Sequence, residues 1–244
     1  SVKGVPYHPG AAKYFEEKGF KVDAVKEGAG NGTASALIFG TGGESGTYYA
    51  FGGVLASFVS GKSDCKVTAL TSGGSQANVE DLTNGNVQLA FVQSDVMNYA
   101  YNGQRLFDSP VTGFSVVAQL YQEQVQIVTT NPDIKTVADL AGKKVSIGAA
   151  GSGVYFNAID VLSAYDLKES DISAVYQSFG DSAESLKDGK IDAAFIVAGA
   201  PTTAITDLAT AGSVYLVSLD DSHVQSLLAA SPYYTAATIK AGTY

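Results

Sequence analysis

Ile38-Phe39-Gly40-Thr41-Gly42-Gly43-Glu44-Ser45-Gly46-Thr47-Tyr48-Tyr49 decides how this chain is read. An apolar strand end at 36–39 runs into a glycine-rich turn that carries hydroxyls, and a helix-like stretch follows at 47–59. Two further turns share the build: Thr71-Ser72-Gly73-Gly74-Ser75 and Gly148-Ala149-Ala150-Gly151-Ser152-Gly153. Glycine lets backbone approach a ligand closely, and the N–H groups that open a helix suit an anion. Three such turns predict a polar, carboxylate-bearing small molecule held by backbone and hydroxyls.

Working outward, strands are expected at 36–39, 66–71, 87–92, 116–121, 125–130, 144–147, 175–178, 193–197 and 214–218. Helices are expected at 47–59, 76–83, 94–101, 152–165, 181–187, 202–211 and 222–231, with a helical turn at 136–140. Ser94 or Asp95 is the expected N-cap of the 94–101 helix. This alternation predicts an α/β fold with largely parallel sheets. Residues 73–92 and 180–197 repeat one order: helix, Asn84-Gly85-Asn86 or Asp188-Gly189 turn, apolar strand. Two copies predict two lobes of similar construction. Ligands of such sheets bind beyond the carboxyl ends of strands, and in a two-lobed protein between the lobes.

The 244 residues are 45% hydrophobic, enough for a packed core. A net charge of -9 argues against nucleic acid and anionic membrane surfaces as partners. Arg105 is the single arginine, so an arginine-clamped phosphate site is not expected. Cys65 is the only cysteine, and His8 and His223 lie far apart, so neither a metal site nor a cofactor is expected. No apolar run approaches the ~20 residues of a membrane span. No signal peptide is seen, which leaves a cytoplasmic chain or a mature, processed form.

Several stretches resemble the solute-binding proteins of TAXI-type TRAP transporters. They are 40–49, Gly73-Gly74-Ser75, Phe91-Val92-Gln93-Ser94-Asp95, Thr136-Val137-Ala138-Asp139-Leu140-Ala141-Gly142-Lys143-Lys144-Val145, Ala149-Ala150-Gly151-Ser152-Gly153, Val197-Ala198-Gly199-Ala200-Pro201-Thr202 and 233–244. The resemblance runs in order through 34–244. It implies a periplasmic-binding-protein type II clamshell, two α/β lobes with mixed sheets. It also implies periplasmic or extracytoplasmic capture of a small organic acid or amino acid, of the glutamate, glutamine or 2-oxoglutarate type, for a TRAP membrane permease.

One stretch departs from the pattern. Val5-Pro6-Tyr7-His8-Pro9-Gly10-Ala11-Ala12-Lys13-Tyr14-Phe15-Glu16-Glu17-Lys18-Gly19-Phe20 resembles the end of that family, not its beginning. The expected organisation is therefore a displaced C-terminal segment at 1–27 packing on lobe 1, a linker at 28–34, lobe 1 at 35–123, lobe 2 at 124–232 and a return towards the hinge and lobe 1 at 233–244. A circular permutant or engineered fragment is expected, as in a biosensor binding module, with an inserted or complementing polypeptide as a partner. The alternative is an unrelated N-terminal extension.

Candidate ligand contacts follow from the turns and strand ends. Thr41, Gly42, Ser45, Thr47 and Tyr48 form the opening loop, with Tyr48 walling the pocket; the other reading is a capped strand-to-helix turn. Ser75 and Asn78 bind ligand, or Ser75 caps the following helix. Gln93 and Ser94 sit past a buried strand, where a glutamine offers donor and acceptor together. Tyr121 lies over the ligand or packs in the core. Gly151, Ser152 and Gly153 capture an anion or simply cap a helix. Ala198 and Pro201 close the pocket floor or make a tight turn. Arg105, in a turn, reads as a surface residue.

A nucleotide- or dinucleotide-dependent α/β enzyme is the competing class. The first loop lacks the Gly-Lys-Ser/Thr ending of a P-loop, and no Ser/His/Asp set is credible. A non-enzymatic binder is the favoured expectation.

Overall fold

The computed structural model describes residues 4–25 and 34–244. Most of the expected linker, at 28–33, lies outside the described residues.

A three-stranded sheet forms first. Its strands are β1 (Ala36–Gly40), β2 (Lys66–Leu70) and β3 (Leu89–Ala90), in the order β2-β1-β3 and all parallel. Helices α2 (Thr47–Lys62) and α3 (Ser75–Thr83) provide the crossovers, and α4 (Ser94–Asn102) follows β3. Phe39, Val67 and Phe91 pack with Ala56 of α2 on one face of this sheet.

The second sheet has five strands in the order β6-β5-β7-β4-β8. They are β4 (Gln124–Thr129), β5 (Lys144–Ser146), β6 (Ser173–Val175), β7 (Ala193–Ala198) and β8 (Tyr215–Leu216). β4 runs antiparallel to β7 and β8, whereas β5 is parallel to β6 and β7, so this sheet is mixed rather than largely parallel. Strict alternation along β7 splits its side chains between two cores. Ala193, Phe195 and Val197 face the cluster built on α5 (Val154–Ala164). Ala194, Ile196 and Ala198 face the one built on α6 (Phe179–Lys187) and α7 (Thr203–Ala211). Helix α8 (Asp221–Ala230) packs on α5.

The two sheets are not separate bodies. Helix α5 sends Val154, Ala158 and Leu162 into the second sheet's core and Phe156 into the core under α4. Helix α1 (Pro9–Glu17) and its flanks join the α4 side, where Val5, Tyr7, Met97 and Val116 form a buried cluster. Near the end of the chain, Tyr234 reaches α5, and the Tyr244 hydroxyl accepts the Thr202 N–H at 3.0 Å beside the second sheet.

Four expectations need correcting. The strand expected at 87–92 is two residues long, because β3 finds a partner only in β1 among the described residues. Residues 116–121 form no strand; a single bridge from Val116 to Tyr7 is their ladder contact. The strand expected at 175–178 lies at Ser173–Val175, since Ser178 is taken up as the N-cap of α6. The N-cap of α4 is Gln93, not Ser94 or Asp95.

Candidate functional site

Four helices begin at one cleft between the sheets. The cleft wall includes Gly46 and Thr47 at the start of α2, Gly74 and Ser75 at α3, Gly153 and Val154 at α5, and Ser178 and Phe179 at α6. Each helix start carries N–H groups that no earlier turn of its own helix can satisfy, together with the positive end of its dipole. The cleft holds about 560 Å³ of empty space, counting its open mouth. Among the described residues, its wall carries no lysine, arginine or histidine. An anion here would therefore be met by N–H and O–H donors.

Ser152 is the unpartnered buried side chain on that wall. It is 6% exposed, it lies on the wall one residue before the N-cap of α5, and its hydroxyl has no hydrogen-bond partner. A buried hydroxyl left unpaired costs about 1–3 kcal/mol, and Ser152 keeps an unused donor and acceptor at the cleft wall.

On the first sheet's side the polar groups are already linked. The Ser75 hydroxyl accepts the Gln93 N–H at 3.0 Å and lies 3.3 Å from the Tyr48 hydroxyl. Tyr48 stacks on Phe91 and donates to Glu123 Oε2 at 3.2 Å. Burial, then the neighbouring Glu123, pushes the Tyr48 phenol well above its ordinary value. The Gln93 amide donates to Asn157 Oδ1 at 2.7 Å, and Asn157 donates to Asp95 at 2.9 Å. Burial raises the Asp95 carboxyl to about 6. Tyr234 and Arg105 meet on Asp160 of α5, at 2.8 and 2.7 Å, which ties the two sides together behind the cleft. Arg105 is exposed as expected but not idle, since it pairs there and lies over Tyr99 and Phe156.

The structure gathers about half of the sequence candidates on the cleft wall: Gly42, Thr47, Tyr48, Ser75, Gln93, Ser152, Gly153 and Ala198. The others stand behind or outside it. Thr41 is fully buried and spends its hydroxyl on Leu70 O at 2.6 Å. Asn78, equally buried, clamps the carbonyls of Thr41 and Phe91 at 2.8 and 2.7 Å. Ser45 contributes its carbonyl to Ala204 N, and Gly151 contributes its own to Ala77 N. Ser94 and Pro201 are exposed, the latter after a cis peptide bond. Tyr121 touches the site through Glu123, at 3.5 Å. Sequence reasoning missed Glu123 and Phe179. Neither sits in a glycine turn, and what marks Glu123 is Tyr48, far away in sequence.

The glycines have a second task. A Cβ on Gly153 would stand 1.9 Å from Gln93 Oε1, and one on Gly73 would stand 2.9 Å from the Ala150 carbonyl. These turns approach one another across the cleft as closely as they approach its interior. Gly199 N donates to the Thr47 hydroxyl at 3.1 Å along the same seam.

Solved structures share this architecture. One is the alkanesulfonate-binding protein SsuA from Xanthomonas axonopodis pv. citri bound to MOPS: 20% identity, TM-score 0.51, covering 77% of this chain and 61% of that one. Another is the arginine-bound form of truncated ArgBP from T. maritima: 17% identity, TM-score 0.53, covering 75% and 81%. A third is a binding protein component of an ABC phosphonate transporter from Pseudomonas aeruginosa: 10% identity, TM-score 0.53, covering 81% and 74%. The chain thus spans about three fifths of the alkanesulfonate-binding protein's length. At these identities the likeness is one of fold, the type II periplasmic-binding-protein fold. The model of the NMT1-like family matches residues 39–244, which takes in both sheets, all four helix starts and Ser152. The chain belongs to the NMT1-like family.

Proposed function

We propose that the chain captures a small organic acid or amino acid in this cleft and passes it to a membrane permease, acting outside the cytoplasm. The observation that carries the reading is the unpartnered Ser152 hydroxyl, buried at the start of α5 in a cleft that four helix N-termini enter and no basic side chain lines. The fold relatives support it, being described as bound to MOPS, bound to arginine, or part of a phosphonate transporter.

The finer reading divides the protein into lobes at 35–123 and 124–232, with 233–244 returning towards the hinge. Ligand binding shifts an open–closed equilibrium by its differential affinity for the closed form. The ligand is of the glutamate, glutamine or 2-oxoglutarate type, and the permease is of the TRAP class with the chain as its TAXI-type receptor. The segment 1–27 is that receptor's displaced C-terminal part, which the packing of Val5 and Tyr7 with Met97 of α4 supports. Nothing on the cleft wall favours a nucleotide-dependent enzyme. Neither histidine lines it: His8 caps α1, and His223 pairs with Asp220 at 2.6 Å.

Mass spectrometry of small molecules released by denaturing the purified protein tests the reading, with calorimetric titration of L-glutamate, L-glutamine and 2-oxoglutarate beside it. At least one acid is expected to bind. Ser152→Ala is expected to weaken it about 10–100-fold, the worth of one charge-assisted hydrogen bond of about 1.5–3 kcal/mol. Binding by neither method, or full affinity in Ser152→Ala, would overturn it.

A further inference from the structure

Among the described residues, Glu123 is the one charged residue on the cleft wall, and capture of an anion does not account for it. It stands immediately before β4, where the chain passes from the first sheet's side to the second. The Tyr48 hydroxyl donates to its Oε2 at 3.2 Å and the Tyr121 hydroxyl to its Oε1 at 3.5 Å. No lysine, arginine or histidine among the described residues forms an ion pair with it. A carboxylate held in a protein interior without a cation is costly, so such a group is retained where something charged or hydrogen-donating comes to meet it.

The position suits an amino acid. Glu123, Tyr48 and Ser75 form one relay, and Ser75 Oγ lies 3.1 Å from where a Cβ on Gly153 would stand, at the start of α5. Two contacts, 3.2 and 3.3 Å, link the acceptor to Ser75 beside the start of α5, a path that one amino acid spans with its ammonium hydrogen-bonded at one end and its carboxylate at the other. In the ionised form both oxygens of Glu123 accept from tyrosines and still offer a ligand lone pairs.

We propose that Glu123 is the specificity-determining residue of the cleft, receiving the ammonium group of an amino acid whose carboxylate lies at the start of α5, so that an amino acid is selected over its 2-oxo counterpart. This rests on the capture function proposed above.

A proton is linked to the exchange. Burial first, and then the charge of Asp95 on α4, raise the Glu123 carboxyl to about 8, against the opposing hydrogen bonds of Tyr48 and Tyr121. At pH 7 the free cleft therefore holds Glu123 mostly protonated. An arriving ammonium breaks the Glu123 O–H bond, and the proton leaves to buffer. Affinity for the amino acid rises from pH 6 to about pH 8 and levels off above it.

The test is calorimetric titration of matched pairs, L-glutamate against 2-oxoglutarate, L-alanine against pyruvate and L-leucine against 4-methyl-2-oxopentanoate, at pH 7 in two buffers of different ionisation enthalpy. For the pair that binds, the amino member is expected to be at least tenfold tighter and to release close to one proton. Glu123→Gln is expected to abolish the proton release and narrow the preference to less than threefold while 2-oxo acid binding persists. Equal or tighter binding of the 2-oxo member by the unaltered protein, or an unchanged preference in Glu123→Gln, overturns the proposal and leaves acid capture standing. No binding by any of the six acids, nor of any acid co-purified with the protein, overturns both.

Discussion

The helix–turn–strand unit that occurs twice in this chain ends in two different ways. In the first copy α3 closes with Asn84 N on Glu80 O at 2.9 Å, Gly85 N on Leu82 O at 3.2 Å and Asn86 N on Asp81 O at 2.9 Å. In the second, α6 closes with Asp188 N on Glu184 O at 2.9 Å, Gly189 N on Leu186 O at 3.1 Å and Lys190 N on Ser185 O at 2.8 Å. Both glycines hold positive φ, 75° and 65°. The turns are one structure. Yet β3 has two half-buried residues, and β7 has six, all buried. β7 pairs on both edges and packs on both faces, whereas β3 pairs with β1 alone. Local sequence sets the turn, and neighbours set the strand. The division extends to the cleft, to which the first copy brings Ser75 and Gln93, and the second Phe179, Val197 and Ala198 beside a Ser178 hydroxyl already used to cap α6.

Core truncation should separate the copies most. Phe195→Ala in β7 is expected to cost about 3–5 kcal/mol, and Leu89→Ala in β3 less than about 2, by urea denaturation. Equal losses would contradict the account of β7 as the doubly supported strand. Next in size is the contact between the two sides. Gly153→Ala forces Gln93 off Asn157 and is expected to weaken acid binding about thirtyfold, or about 2 kcal/mol, while Gln93→Ala in the same chain restores part of it. Undiminished binding in the single variant would show that the seam does not form with ligand present. The smallest effect tests sameness. Gly85→Ala and Gly189→Ala should each cost about 1–2 kcal/mol through the left-handed turn, and by equal amounts within ~0.5 kcal/mol. A gap larger than that would mean the two turns carry different strain.

The same division explains what could be read from the chain. Helices α2, α3, α5, α6 and α7, the two Gly turns and β7 were legible because caps, glycines and apolar runs are local signals. Residues 116–121 read as a strand, but a strand needs a partner, and sequence does not say that among the described residues their one ladder contact is the bridge from Val116 to Tyr7. Asn78 follows a glycine turn like a ligand contact, but the carbonyls of Thr41 and Phe91 converge on it only once the sheet has formed. Glu123 was illegible for the same reason, since its two tyrosines come from separate segments. Ser152 was the reverse case: the glycines beside it and the helix after it were both visible in the string of residues.

The close approach of Gly153 to Gln93 and of Gly73 to Ala150 acts as a gauge. A bare main-chain carbon against the Gln93 amide at one point, and against the Ala150 carbonyl at the other, lets the two sides stand closer than a side chain on those turns would permit. The spacing of the two walls at these points is written in the absence of a single carbon atom on each glycine. One methyl group at Gly153 would widen that spacing by displacing the Gln93 amide.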